Sequence, residues 1–430
     1  MVSSPRRNAA EGDHKNEHDT PAYSGCRGID ADDDRSGPGP RTPQGAPLKL
    51  GILGDLSGPY RDLSGLGTMA CVRQAIEDLA GAGTRLPVEV LHADHQHKPD
   101  VGVAIARQWF DRDGVDAILE VNNSAIALAI TDIARDKDKV FLATGPATAD
   151  LHGPRCGPNH VHWTYDTWML ANGAGAATVR AGGDSWFFMT ADYAFGHSLE
   201  RDTRRAVEAG GGKVLGQARY PFPQTTDFSS FLLQAQSSRA KVLGLANAGT
   251  DLVNCVKQAH EFGLTRRGAM KMVGLLCLLG DVRAIGAEAA QGLLLAEPFY
   301  WDFDDRTRAF TTRVLPKMPP NIYPSTNHAG AYSAVLHYIR TAAAMGGSAA
   351  AKASGRATIA RMKALPTEDD CFGPGRVRED GRKIHPVHLF EVKPPAEVKT
   401  GWDFYKLVGS IEAEKAMRPL AEGGCPLVQG

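Results

Sequence analysis

"VDAILEVNNSAIALAITDIARDKDKVFLATG" (residues 115–145) joins an apolar run, a segment with apolar residues at helical spacing, and a second apolar run. Residues 115–121 read as a buried strand, 124–138 as an amphipathic helix and 139–145 as another strand. Working toward the N-terminus, 47–57 reads as a short buried strand ending in a glycine-bearing turn, and 67–80 as a helix. Residues 87–94 follow as a strand and 100–113 as a helix. Strand and helix alternate throughout, which argues βαβ units on a parallel sheet, an α/β protein. Crossovers in such units are right-handed, so the loops at the strands' carboxyl ends share one edge of the sheet.

Residues 160–182 read as a linker feeding a helix, and then the alternation restarts. Strands are expected at 185–192, 212–222, 241–249, 269–278 and within 288–302, with helices at 196–211, 225–240 and 250–264. Two tandem arrays make two doubly wound lobes. The last third breaks the rhythm with helices at 305–318, 327–346 and 355–366, followed by a bent or two-strand extended segment at 382–395. These pieces must pack on lobes already formed, so the chain is expected to cross between lobes more than once.

The 430 residues are 43% apolar and 23% charged, enough for a sizeable core and two or three domains. Forty-nine acidic residues against 48 basic ones leave a net charge of −1, without the basic surplus that nucleic-acid binding needs. No run of apolar residues reaches the length that a membrane-spanning helix requires. Residues 1–46 are polar, rich in Gly, Pro, Asp and Arg, and expected to be disordered. They lack the apolar core of a secretory signal, so taken literally the chain stays in the cytoplasm. The seven cysteines form no CxxC pair and hence no zinc pattern. Cys71, Cys255 and Cys277 fall on apolar or helical stretches, whereas Cys156, Cys371 and Cys425 fall in Gly/Pro-rich loops that leave room for one unassigned disulfide.

Reactive chemistry finds little support. The glycines at 51, 54, 58, 65 and 67 fit neither a dinucleotide fingerprint nor a P-loop, and read as turn residues. His92, Asp94, His95 and His97, and the pair His160 and His162, lack zinc spacing and read as surface or turn residues. Ser57, Ser124 and Ser198 lie outside any nucleophile-elbow motif. No catalytic residue, cofactor or metal is therefore expected, and the chain reads as a non-enzyme. The loops 121–128 and 143–151, by contrast, carry small polar residues where strands become helices. Asn123 or Ser124 can cap the first of those helices. Amides and hydroxyls at such helix starts suit a carboxylate. "TADYAFGHSLERD" (190–202) sets Tyr193, Phe195 and His197 at an equivalent place in the second array, with His197 a helix-start residue.

Taken together, "LGDLSGPYRDLSGLG", "GVDAILEVNNSAIALAI", "FLATGPATADL", "FFMTADYAFGHSLERD" and "TTDFSSFLLQAQ" resemble the periplasmic solute-binding proteins of ABC transporters. The branch is the leucine/isoleucine/valine-binding type, and the likeness runs from residue 47 to the C-terminus. It implies two Rossmann-like lobes joined by three crossovers: 47–164 with 302–384, and 165–301 with 385–425. A ligand closes the cleft between them. The matching carboxylate-holding positions are Ser124, Thr144, Ala147 and Thr148, with Tyr60 reaching in from the same lobe. Tyr193 and Phe195 form the opposite wall, and Trp163, Tyr165 and Trp168 add flat apolar surface. Where the family's amino-acid binders place an acid for the ligand's ammonium, "ANAGTD" offers Asn247 and Thr250, with Asp251 already inside a helix. The ligand therefore need not be an α-amino acid; carboxylates, aromatic acids, amides and branched-chain solutes remain open. The resemblance implies a monomer that serves a membrane permease from the periplasm, the residues before 47 replacing a true leader through a misassigned start. The rival is a cytoplasmic amide-sensing regulator of the same fold acting through a protein partner.

Overall fold

The computed structural model describes residues 45–265 and 270–428; most of the segment expected to be disordered lies outside the described residues. The first lobe begins with β1 (Leu48–Gly54), α1 (Gly65–Gly81), β2 (Val88–Asp94) and α2 (Pro99–Gln108). It continues through β3 (Ala117–Glu120), α3 (Ser124–Asp136), β4 (Val140–Ala143) and β5 (His160–His162). The five strands are parallel in the order β2-β1-β3-β4-β5. Every residue of β3 and β4 is buried, because helices cover both faces of the sheet. That is why these strands read as unbroken apolar runs.

The second lobe opens with α4 (Thr167–Leu170), α5 (Ala176–Arg180), β6 (Ser185–Ala191), α6 (Ala194–Ala209) and β7 (Lys213–Tyr220). Next come α7 (Ser229–Ser237), β8 (Val242–Ala246), α8 (Gly249–Glu261) and β9 (Lys271–Gly274). α9 (Leu279–Ile285), α10 (Ala287–Ala290) and β10 (Leu294–Glu297) complete the run. The order β7-β6-β8-β9-β10 repeats that of the first lobe. In both sheets the winding direction reverses beside the first strand, between β1 and β3 and between β6 and β8. Loops at the carboxyl ends of the strands flanking such a reversal form a crevice.

The remaining elements serve both lobes. They are α11 (Asp305–Val314), α12 (Thr326–Ala344), α13 (Ser348–Ala353), α14 (Gly355–Ala364), β11 (Arg376–Val377), β12 (Lys383–Ile384), β13 (Val387–Val392), β14 (Tyr405–Ile411) and α15 (Ala413–Ala416). α12 is buried around most of its circumference, its Ala329, Val335 and Ile339 sharing one core with Leu50 and Ile52 of β1. β13 and β14 extend the second sheet antiparallel beyond β10. β14 is an edge strand, mostly exposed and without apolar alternation for the sequence to show. β5 lies inside the stretch read as linker, and the strand expected within 288–302 shrinks to β10 behind the short helix α10. The histidines read as surface residues are mostly interior: His95, His97, His160 and His162 are all buried.

Chain crossings between the lobes follow β5, β10 and β12. Arg382, just before β12, is wholly buried and spans the first and third of them. Its Nε donates to Asp166 Oδ2 at 2.6 Å, and its Nη1 donates to the carbonyls of His162 and Trp163 at 3.1 and 2.8 Å. Asp166 in turn caps α4 by accepting from the Met169 amide at 2.9 Å. Burial alone pushes the Asp166 carboxyl up, but the adjacent Arg382 charge outweighs it and holds the group far below its ordinary range.

After β14 the chain returns to the first lobe, whereas the sequence reading carried the second lobe to residue 425. Arg418 Nη2 donates to the Ala149 carbonyl at 2.9 Å, and Arg378 Nη1 donates to the Arg418 carbonyl at 2.9 Å. A disulfide joins Cys156 to Cys425, with Cα atoms 5.5 Å apart; Cys371, the third loop candidate, stays a buried thiol.

Arg382→Met leaves Asp166 charged and unpaired in the interior, and is expected to cost about 3–5 kcal/mol by guanidinium unfolding. Adding Asp166→Asn should recover part of that loss, since the buried charge is then gone. Replacing Cys156 and Cys425 together by serine should lower stability by about 2–5 kcal/mol. An unchanged unfolding midpoint for the serine pair would show that the C-terminal return contributes nothing to stability.

Candidate functional site

The crevice predicted by the two winding reversals is occupied by side chains from both lobes. Tyr60 and Leu63 come from the β1–α1 loop, Asn122 and Ser124 from the end of β3, and Gly145, Pro146 and Ala147 from the loop after β4. Tyr165 lies on the first crossover. Tyr193, Phe195 and Leu276 close the far side from the second lobe. These residues surround a cavity of about 10 Å³, the space of a single water. The lobes are closed over it, so a larger solute enters only as they part.

Polar contacts between the lobes hold the closure, Arg201 Nη2 donating to Asp150 Oδ1 at 3.1 Å among them. The hydroxyls of Tyr60 and Tyr193 meet at 2.9 Å, and those of Thr148 and Ser198 also at 2.9 Å. Thr250 donates both its amide and its hydroxyl to the Pro59 carbonyl, each at 3.0 Å. Gly249 makes this approach feasible. Its φ is +58°, and a Cβ there would collide with the Pro59 carbonyl oxygen and with the Tyr60 ring. Any larger residue would hold the lobes apart.

The expected carboxylate-holding loops are built as helix starts. Asn123, not Ser124, caps α3: its Oδ1 accepts from the amides of Ala125 and Ile126 at 3.0 and 3.1 Å. That frees the Ser124 hydroxyl, whose oxygen accepts from the Thr148 amide at 3.3 Å and whose proton is left to donate. No described residue accepts from the Ala147 amide. The backbone leading into this loop is strained, with Glu120 and Val121 at φ +75° and +56°. Non-glycine residues in that region cost free energy and cluster where function constrains the chain.

Of the nine residues assigned from sequence, Tyr60, Ser124, Ala147, Tyr193 and Phe195 line the cavity. Thr148 and Thr250 stand beside it and bridge the lobes. Thr144 is buried just past β4 and does not line it. Asn247 turns into the second lobe, where its Nδ2 donates to Cys255 Sγ at 3.3 Å. Asn122 is the polar lining residue that sequence reasoning missed, along with Leu63, Gly145, Pro146 and Leu276. Its Oδ1 accepts from the Asp55 amide at 2.9 Å and its Nδ2 donates to Ser64 Oγ at 2.8 Å, so it shapes the loop that carries Tyr60. Its place next to the capping Asn123 was the only available signal. Asp251, in the first turn of α8, is buried and does not line the cavity. Burial pushes its carboxyl up to about 7, with Tyr220 opposing the rise. His197 bonds Asp192 at 2.7 Å on the surface. Among the described residues, no cluster of His, Cys, Asp or Glu is arranged to hold a metal ion.

A second acid sits where the lobes join. Glu297, the last residue of β10, accepts from Thr326 Oγ1 at 2.5 Å and from the Tyr405 hydroxyl at 2.6 Å. Burial pushes its carboxyl up to about 8, more than these hydrogen bonds offset. The folded protein therefore keeps a proton that the unfolded chain releases near 4.5. This contribution is full below pH 4.5, fades as pH rises toward 8, and is gone above it. Glu297→Gln should remove that fall, on the order of a few kcal/mol, flattening a plot of Tm against pH between 5 and 8. A slope identical to the wild type's would show that the group titrates normally.

A family model described as periplasmic binding protein matches residues 47–400. A periplasmic binding protein from Burkholderia mallei is 42% identical with a TM-score of 0.83, the match covering 89% of this chain and 99% of that one. A branched-chain amino acid ABC transporter periplasmic ligand-binding protein from Burkholderia xenovorans LB400 is 38% identical with a TM-score of 0.77, covering 88% and 99%. A solute-binding protein of an ABC transporter from R. palustris, in complex with benzoate, shares the fold at 17% identity with a TM-score of 0.75, covering 89% and 100%. No curated protein matches the chain.

Proposed function

The chain belongs to the periplasmic binding protein family, the solute-binding proteins of ABC transporters, and from that premise we propose that it captures a small carboxylate with a flat or branched apolar body. The observation that carries this reading is the pairing of the Ser124 hydroxyl and the Ala147 amide with a wall of Tyr60, Tyr165, Tyr193 and Phe195 around one cavity. The polar pair suits a carboxylate, and charge-assisted hydrogen bonds of this kind are the stronger ones. The rings suit an apolar or aromatic body. An α-amino group is not required, because Asp251 stands outside the cavity and burial pushes its carboxyl up to about 7. Branched-chain solutes suit the same apolar walls, in keeping with the branched-chain amino acid ABC transporter to which the B. xenovorans relative belongs.

Capture proceeds by population shift. A ligand touching both lobes stabilises the closed form relative to the open one by its differential contacts, and no covalent step is needed. The closed form is what a membrane permease of the ABC type would receive. The Cys156–Cys425 disulfide supports an oxidising compartment such as the periplasm over the cytoplasmic sensor of the same fold.

A thermal-unfolding screen of residues 45–430 against leucine, valine, benzoate, 4-hydroxybenzoate, succinate and acetamide tests this. A compound at 100 times its Kd should add about 2.7 kcal/mol of apparent stability. Ser124→Ala should weaken that compound by roughly tenfold to a hundredfold, as expected for one hydrogen bond to a charged group. Binding of acetamide alone, or of none of the six, would overturn the carboxylate assignment.

A further inference from the structure

The β2–α2 loop backs the candidate site through two histidines: His95 Nε2 meets Asn122 Oδ1 at 2.9 Å, and His97 reaches further. His97 is buried and held at φ +56°, the left-handed region that a histidine adopts at a cost. Its neighbours explain what the strain secures. Because the Asn123 Oδ1 is committed to capping α3, the Asn123 Nδ2 must face outward, and it donates to His97 Nδ1 at 2.8 Å. The cap thus determines the tautomer: Nδ1 accepts, and the ring proton sits on Nε2. That nitrogen lies 3.0 Å from Asp55 Oδ2, a close polar contact rather than an aligned hydrogen bond.

Asp55 passes the constraint on. Its Oδ1 accepts from the Gly58 amide at 2.6 Å and the Ser57 amide at 3.3 Å, and its Oδ2 accepts from the Tyr60 amide at 2.8 Å. The turn that presents Tyr60 is thereby wound around one carboxylate. The His97 ring also meets the Tyr60 ring edge-on, with centroids 4.5 Å apart. It meets Phe222 of the second lobe in the same way at 5.4 Å. Phe222 is the ring stacked on Tyr193, with centroids at 4.5 Å.

We infer that His97 is a positioning residue for the solute clamp: through Asn123 and Asp55 it locks the start of α3, which carries Ser124, to the turn that carries Tyr60. The polar and the aromatic parts of the first-lobe wall then move as one body when the cleft opens. The inference deepens the proposed function, since it assigns the residue that sets the geometry of that same site.

Long-range ¹H–¹⁵N spectra of the wild-type protein read the tautomer directly. A single ring proton on His97 Nε2 is expected, and a proton on Nδ1 overturns the scheme. Asn123→Asp keeps a competent helix cap but replaces the amide donor with an acceptor. It should bring a proton onto His97 Nδ1, and an unchanged ring spectrum counts against the proposal. Amide exchange then tests the coupling without any ligand. His97→Leu should lose about tenfold or more protection at Ser57, Gly58 and Tyr60, the scale of one lost buried polar contact to a carboxylate. The α3 amides should keep theirs. His97→Gln, which offers an acceptor and a donor on one amide, should restore protection. Equal loss in both variants, or none in His97→Leu, overturns the proposal, and if His97→Leu does not fold, the ring spectrum of Asn123→Asp decides. Kd values are measured with leucine and 4-hydroxybenzoate. If neither binds wild type, the carboxylate reading fails while exchange still judges the coupling. If one binds, His97→Leu should weaken it about tenfold and His97→Gln about twofold or less.

Discussion

The buried pair of Arg382 and Asp166 is the constraint on which the two-lobed arrangement depends. Both side chains are fully shielded from water. Burying two charges carries a desolvation penalty that their attraction offsets only when the remaining donors and acceptors are also used. Here they are: the guanidinium reaches backbone carbonyls of the first crossover, and the carboxylate caps α4. The pair therefore ties the strand entering the second lobe to the strand leaving the first for the last time. Those two crossovers are thereby held to each other, and the two reversal points face each other across the cleft.

That opposition turns two similar half-molecules into one site. Each sheet presents its loops at the carboxyl ends of its strands, and the closed lobes bring them together face to face. Tyr60 and Tyr193 are far apart in the chain yet share a hydrogen bond, and Thr250 reaches the Pro59 carbonyl across the same gap. Gly249 sits where the first lobe's turn passes closest, which is a steric requirement rather than a chemical one. The cavity left between these contacts is small because the rings fill it. Opening must separate hydroxyl pairs and aromatic edges that a bound solute can replace with contacts of its own.

Several buried polar side chains near this cleft are satisfied locally, although Glu120 and one oxygen of Asp251 are not. Asp55 gathers backbone amides, Asn122 and Asn123 use both ends of their side-chain amides, and Glu297 accepts two hydroxyls. Fully partnered networks of this kind stiffen a site, whereas an unpartnered member would be costly. Arg382→Met would make Asp166 such a member.

Much of this protein was legible before its structure. Apolar runs such as residues 115–121 and 139–145 revealed buried parallel strands, because a sheet covered on both faces has no polar side to display. The alternation with helices led to two doubly wound lobes with a shared loop edge, and the resemblance to the solute-binding family then pointed to Tyr60, Ser124, Ala147, Tyr193 and Phe195. What pattern could not reach was decided by contacts between residues far apart in the chain. β5 and β14 are too short or too exposed to show periodicity. Asn247 sits at a strand end as its neighbours do, yet turns inward, because which way a loop side chain points depends on what packs against it. The histidines at 95 and 97 look like surface residues in a polar segment, and only the folded chain brings Asn122, Asn123 and Asp55 around them. Sequence by itself determined the elements and their order through local periodicity and steric preference. The tertiary structure alone decided the ion pair at Arg382, the Cys156–Cys425 link and the partners of each buried polar group, because hydrogen bonds and charges are settled by proximity in space, which periodicity along the chain does not encode.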